Sequence, residues 1–443
     1  MSLKFHATEG DVNQSSRRLR WQSETLSEAT MRMLAEDEAV FIRQALSTPC
    51  LNAIVKAQGS WIEDVDGRRF LDFHGNSVHQ VGYGHPAVVQ AAKDQLDTLP
   101  FCPRRYTNAS AIALSQRLRE LAPEGLGKIL FAPGGTSAIG IALKLARFAT
   151  GRFKTVSMWD SFHGASLDAI SVGGESQFRS NIGPLLPGTS HVSPPDPRRC
   201  PLGCGGTCSL ACASYLEYVL DHEGDVGAVI AEPIRCTTAV QAPQEYWQRV
   251  RAACDRHGAL LIFDEIPTCL GRTGTMFAAE STGIVPDMIV LGKGLGGGVF
   301  PLAAVIARTD LDVADAISLG HFTHEKSPIG SAIGLATLDV IENERLLHRS
   351  RTLGLRFVEQ LRSLMRRRPS ILEVRGLGLL VAVEMATPAI GEETMFRALD
   401  HGLSFKVSAG SVLTLTPPLT ITDDELSLAL AALDTSIGLA EST

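Results

Sequence analysis

The feature that most constrains this chain is a rhythm in its middle third. From Lys128 onward, short and nearly continuous apolar runs (KILFA, KTVSMW, GAVIAEPI, ALLIFDE, DMIVL) alternate with amphipathic stretches such as residues 138–149 and 244–257. Strands apolar on both faces must be covered on both faces, and helical spacers of about a dozen residues are the crossovers that parallel pairing demands. The pattern predicts an α/β domain with a mostly parallel sheet between helices. Upstream, residues 60–73 place two alternating runs around Asp66-Gly67, the signature of a β-hairpin. Downstream, a helical stretch over residues 329–366 leads to VRGLGLLVAVE, VLTLTPPLTIT and a final helix from Asp423, which reads as a separate α+β unit.

Charge narrows the partners. With 41 Lys+Arg against 48 Asp+Glu the net charge is −7, and no long basic run exists, so nucleic acid and anionic membrane surfaces are disfavoured and a small-molecule partner is favoured. The first 38 residues hold no apolar core for a signal peptide, and the most apolar window, residues 299–307, is broken by Pro301 and far short of the roughly 20 residues of a membrane helix. These features predict a soluble, cytoplasmic chain whose nine cysteines are reduced.

Three motifs carry chemistry. In LGKGLGGG, Gly292, Gly294 and Gly297 match G-x-G-x-x-G after an apolar strand, but a dinucleotide fingerprint requires a helix to start inside the glycines, and Val299-Phe300-Pro301 with LAAVIA reads as another strand. Lys293, set among those glycines between two apolar runs, is expected to be desolvated; burial lowers an ammonium pKa and frees the amine for Schiff-base chemistry. A solvated loop lysine is the alternative. ALLIFDEI puts Asp264-Glu265 at the end of a parallel strand, where such sheets gather ligands, or where an ordinary helix cap would stand. Gly134-Gly135-Thr136-Ser137 opens a helix with free N–H groups and hydroxyls for an anion, without the lysine of a P-loop.

These pieces, in this order and with Trp159 to Gly164 (WDSFHG) between cup and acid, resemble the class III aminotransferases of the fold-type-I pyridoxal 5′-phosphate superfamily, over nearly the whole chain. The resemblance implies an α/β large domain at residues 76–335 and a smaller α+β domain built from both chain ends, residues 1–75 and 336–443. It implies that Lys293 carries the cofactor and relays protons, Asp264 pairs with the pyridinium nitrogen, Phe162 covers the ring beside His163, and Gly135 and Thr136 hold the phosphate. It further implies a homodimer or larger assembly in which Thr323 reaches the neighbouring copy's phosphate.

Departures from the family pattern narrow the function. Ser137 stands where a glutamate is usual, Pro267 where a glutamine is usual, and Thr414 where many carboxylate-handling members place an arginine. Without that fork an ordinary α-amino acid or 2-oxoglutarate is a poorer substrate. FHGNSVHQVGYGHP, FCPRRYTN, HEKSP and LSFKVSAGSVLTLTPP are similar to a branch of the family that eliminates ammonia from 1-hydroxy-2-aminoethylphosphonate, which implies a small primary amine bearing a phosphonate. Arg104, Arg105, Arg235 and Lys406 are candidate anchors for that anion. An ω-aminotransferase, a catalytically silent binding protein and a nicotinamide oxidoreductase are the competing readings. Cys200, Cys204, Cys208 and Cys212 recur at every fourth position; they read either as ligands of a structural zinc or as reduced thiols in an insertion loop over residues 193–212.

Overall fold

The computed structural model describes residues 14–205 and 207–442. The chain divides into two compact units: residues 86–236 with 240–347, and residues up to 85 with 237–239 and from 348 onward.

The larger unit is built on strands β1 (Leu126–Ala132), β2 (Lys154–Met158), β3 (Thr189–Val192), β4 (Val226–Ala231), β5 (Leu260–Asp264), β6 (Met288–Leu291) and β7 (Ala303–Arg308), in the spatial order β1-β7-β6-β5-β4-β2-β3. Neighbours pair in parallel except β7, which runs antiparallel to both β6 and β1, so six strands point one way. The strand expected after the glycine run is β7, and no long helix starts among those glycines; Lys293–Gly296 is a single 3-10 turn. Strands β4, β5 and β6 are buried at every position, as their unbroken apolar sequences require.

Cover comes from helices α1 (Gly135–Thr150), α2 (Ala211–Glu223) and α3 (Gln244–His257) among others. Adjacent residues on a strand face opposite sides, and β5 shows what each side meets. Ile262 belongs to the cluster formed by Ile139, Ala142, Leu143 and Ala146 of α1 with Val290 and Val305. Phe263 turns the other way, its ring 4.9 Å from that of Trp247 on α3 in an edge-on arrangement.

The smaller unit draws on both ends of the chain. Arg69–Asp72 pairs in parallel with Leu403–Ser404 at the edge of one sheet, and Ile371–Leu377, Leu380–Met385, Val412–Leu415 and Lys406–Ser408 form another. The hairpin expected at Asp66-Gly67 joins Trp61–Asp64 to Arg69–Asp72, with Gly67 at φ 78°. Trp61 Nε1 donates to Glu425 Oε1 at 2.7 Å; Glu425 also completes a capping box with Thr422 at the start of the last helix, Asp423–Glu441.

The helical stretch expected over residues 329–366 is two helices, Pro328–Asn343 and Leu346–Met365, broken where Arg345 takes φ 53°. Neither glycine nor proline marks that break, and the apolar period continues across it. Among the described residues no helix is long and apolar enough to cross a membrane.

Candidate active site

The sheet gathers the candidate residues of the larger unit along one edge. The glycine cup follows β1, the Phe162-His163-Gly164 turn follows β2, Glu232 follows β4, Asp264 ends β5 and Lys293 lies just beyond β6. All five are carboxyl ends of strands that point the same way, where loops are free to converge on a ligand. Registers Phe263↔Ala231 and Asp264↔Val290 put Glu232 and Lys293 just beyond the ends of the two strands that flank Asp264.

Asp264 is buried. Its Oδ2 lies 2.8 Å from His163 Nδ1, and its Oδ1 accepts the Ile266 N–H at 3.0 Å. A carboxylate offers about four acceptor positions, so capacity remains for a protonated ring nitrogen. His163 is itself buried, and its Nε2 has no hydrogen-bond partner among the described residues.

Lys293 departs from the expectation of full desolvation. It is half-buried, in the left-handed backbone region at φ 44°, and its Nζ has no hydrogen bond or ion pair among the described residues. A non-glycine residue held there stores about 1–3 kcal/mol of strain, a cost met mainly at functional sites.

The cup is an open helix end. Gly134 is extended and supplies no side-chain cap, so the N–H groups of Gly135, Thr136 and Ser137 at the start of α1 remain available to an anion. Thr136 Oγ1 is 2.6 Å from Ser166 Oγ and accepts the Ser166 N–H at 3.2 Å. Gly164 is the residue that lets this happen: at φ 126°, a Cβ on it would stand 2.4 Å from Thr136 Oγ1. Cup and Phe162 turn are therefore locked together.

Three participants escaped the sequence analysis. Ser166 and Asp168, whose carboxylate accepts the Ser166 hydroxyl, look in sequence like any helix start. Glu232 is the third: Oε1 accepts the Phe162 N–H and Oε2 the Cys236 N–H, each at 3.2 Å, with Arg235 Nη1 3.6 Å from Oε1. An apolar strand ending in an acid was the available signal, the same one that singled out Asp264.

The remaining candidates scatter. Phe162 is partly exposed, its ring centroid 4.4 Å from that of Phe178. Arg104, Arg105 and Thr323 are exposed, with Arg104 Nη2 2.9 Å from His321 Nε2. Arg235 is half-buried, and Lys406 is half-buried on a strand of the smaller unit. Thr414, also of that unit, is buried, with its hydroxyl 2.6 Å from the Thr237 carbonyl and 2.9 Å from Ser408 Oγ.

The zinc expectation finds no support in the structure. Among the described residues no three His, Cys, Asp or Glu side chains are grouped to hold a metal. Cys212 is buried in the first turn of α2, where desolvation pushes its thiol up to about 12, whereas Cys200, Cys204 and Cys208 remain on the partly exposed loop and Cys204 Sγ turns to Ser209 Oγ at 3.2 Å.

A profile of the family described as aminotransferase class-III matches residues 43–437. The chain belongs to the class-III aminotransferase family. It is 45% identical over 97% of its length to an (R)-1-hydroxy-2-aminoethylphosphonate ammonia-lyase of Vibrio splendidus, 95% of which is covered. It is 34% identical to an acetylornithine aminotransferase of Methanopyrus kandleri, over 86% of this chain and 92% of that one. Its fold is similar to the crystal structure of a Bacillus anthracis aminotransferase, with a TM-score of 0.85, 29% identity, and coverage of 94% and 100%.

The cofactor of this family is pyridoxal 5′-phosphate, and the residues present fit it: an amine without a partner, a buried carboxylate with acceptor capacity to spare, and an uncapped helix end of the right chemistry for a phosphate. Next to Asp264, Glu265 faces the protein interior and accepts the N–H groups of Ala278 and Ala279 at 2.5 and 2.8 Å. Burial pushes its carboxyl up from 4.5 to about 8. An acid whose folded-state pKa is raised binds more protons folded than unfolded, so its contribution to stability is full below 4.5 and is lost as the pH rises to about 8, by about 1.4 kcal/mol per unit. Thermal melts of wild type and Glu265→Gln across that window should show a flatter pH dependence in the variant; parallel curves would contradict the assignment.

Proposed function

We propose that this protein uses pyridoxal 5′-phosphate to eliminate ammonia from 1-hydroxy-2-aminoethylphosphonate, giving phosphonoacetaldehyde. The observation that carries the proposal is the 45% identity to the Vibrio splendidus ammonia-lyase over nearly the full length of both chains. Thr414 adds to it: where many relatives that handle carboxylates carry an arginine fork, this chain has a hydroxyl tied to Thr237 and Ser408.

When bound, the cofactor supplies an electron sink for the carbanion formed at the amine-bearing carbon. The chain's residues do the rest. Lys293 Nζ, without a hydrogen bond or ion pair among the described residues, takes the proton from that carbon and returns it to the departing hydroxyl, which leaves as water. Asp264, oriented by His163, keeps a proton on the ring nitrogen. Gly135 and Thr136 hold the phosphate, and Phe162 closes one face against solvent. Water taken up by the released enamine then yields the aldehyde and ammonia. One water is lost and one regained, so the step needs neither an oxidant nor a keto acid.

The reading includes a homodimer or larger assembly, with Thr323 of a second copy completing the phosphate site; its exposure in the single chain supports this. It also includes a reducing, cytoplasmic setting, in keeping with nine cysteines of which none forms a disulfide among the described residues. Family-level similarity to aminotransferases makes amino transfer to a keto acid the second reading.

Incubation with 1-hydroxy-2-aminoethylphosphonate and no keto acid should release ammonia over many turnovers. Lys293→Ala should lower the rate by roughly 10²–10⁴-fold. Turnover that appears only with pyruvate or 2-oxoglutarate, with matching alanine or glutamate, would replace the lyase by an aminotransferase. Sedimentation of the active protein should give a dimer or larger species, and full activity in a monomer would remove the shared site.

A further inference from the structure

We propose that Arg235 recognises the anionic end of the substrate, and that Glu232 holds its guanidinium in reserve until a dianion arrives. The proposal rests on the reading of a phosphonate substrate. Arg235 follows β4 by four residues, at the edge that also carries Asp264 and Lys293, and its side chain is 18% exposed. Its Nη1 stands 3.6 Å from Glu232 Oε1, beyond hydrogen-bond reach. Arg235 makes no side-chain hydrogen bond among the described residues, so a guanidinium with five N–H donors is largely withdrawn from water with its donors unspent.

The partner is held more firmly than Arg235 is. Both Glu232 oxygens are engaged by main-chain donors, Phe162 N–H and Cys236 N–H. The carboxylate is therefore fixed while the arginine is not. This asymmetry suits an exchange: a phosphonate offers three oxygens to a planar fork and forms two charge-assisted bonds where the carboxylate gave a single loose contact. A neutral amine offers nothing that would draw the guanidinium away. Since Glu232 also grips the backbone of Phe162, the anion site and the residue assigned to the cofactor face are joined through one carboxylate.

Of the other candidate cations in the larger unit, Arg104 is exposed and engaged with His321, and Arg105 is exposed.

The test is binding of 2-aminoethylphosphonate, which has the amine and the anion but no hydroxyl to expel, to the holoenzyme, read from the cofactor's absorbance, with propylamine as the neutral control. Arg235→Gln should raise the dissociation constant for the phosphonate by about 30-fold or more and leave that for propylamine within about 2-fold. Arg235→Lys, which keeps the charge but loses the fork, should fall between, and it carries the test if the glutamine variant does not fold. Glu232→Gln should tighten phosphonate binding by removing the competing carboxylate. Equal losses for both ligands, or none, would overturn the proposal. Because this binding requires no turnover, a wild type that binds the phosphonate through Arg235 without releasing ammonia would sink the lyase reading alone, and ammonia release with an unchanged KM in Arg235→Gln would sink this inference alone.

Discussion

A carboxylate inside a protein is stable only if its lost hydration is replaced, and the site depends on how Asp264 meets that demand. It ends a strand without a single exposed position, and its oxygens are supplied by a main-chain N–H and by the ring of His163. That arrangement fixes the remainder. His163 must come from the turn after β2, which brings Phe162 and Gly164 with it; Gly164 packs on Thr136, which sets the helix end where an anion can sit. Lys293 needs only to follow the next strand. The constellation spans more than 150 positions of sequence, yet each residue lies one loop from its strand.

Much of this was legible because the alternation of apolar runs and amphipathic spacers permits only a sheet covered on both faces. Once the strands are placed, residues just past their carboxyl ends become candidates on topological grounds alone, which is how Asp264, Lys293 and the cup were found. What was hidden depended on tertiary contacts. Nothing in Ser166-x-Asp168 announces a strut for Thr136, and the break at Arg345 uses a left-handed arginine where glycine would have been readable. At the cysteines the spacing of four suggested a common metal, and the described residues show no group that would hold one, with Cys212 buried at the start of α2.

Within the family, transferring an amino group and expelling ammonia diverge only after the first proton transfer. A hydroxyl on the neighbouring carbon is a poor leaving group, so expulsion competes with reprotonation only where a proton is at hand to let it depart as water. In the proposed mechanism Lys293 has just acquired one, and among the described residues its amine is not tied to any neighbour that would hold it back. The proposal of a substrate whose charge is not an α-carboxylate rests on Thr414, where the family resemblance leads one to expect an arginine, and on the loose Glu232–Arg235 pair.

The central claim is that Lys293 is the residue to which the cofactor attaches, and borohydride reduction tests it most directly. Hydride converts the labile linkage into a stable secondary amine, so the labelled residue survives digestion and can be located by peptide mass spectrometry. The account predicts one modified peptide, containing Lys293, and no labelling in Lys293→Ala under the same treatment. A label on a different lysine, or an unmodified Lys293 in protein that had been saturated with pyridoxal 5′-phosphate, would contradict it.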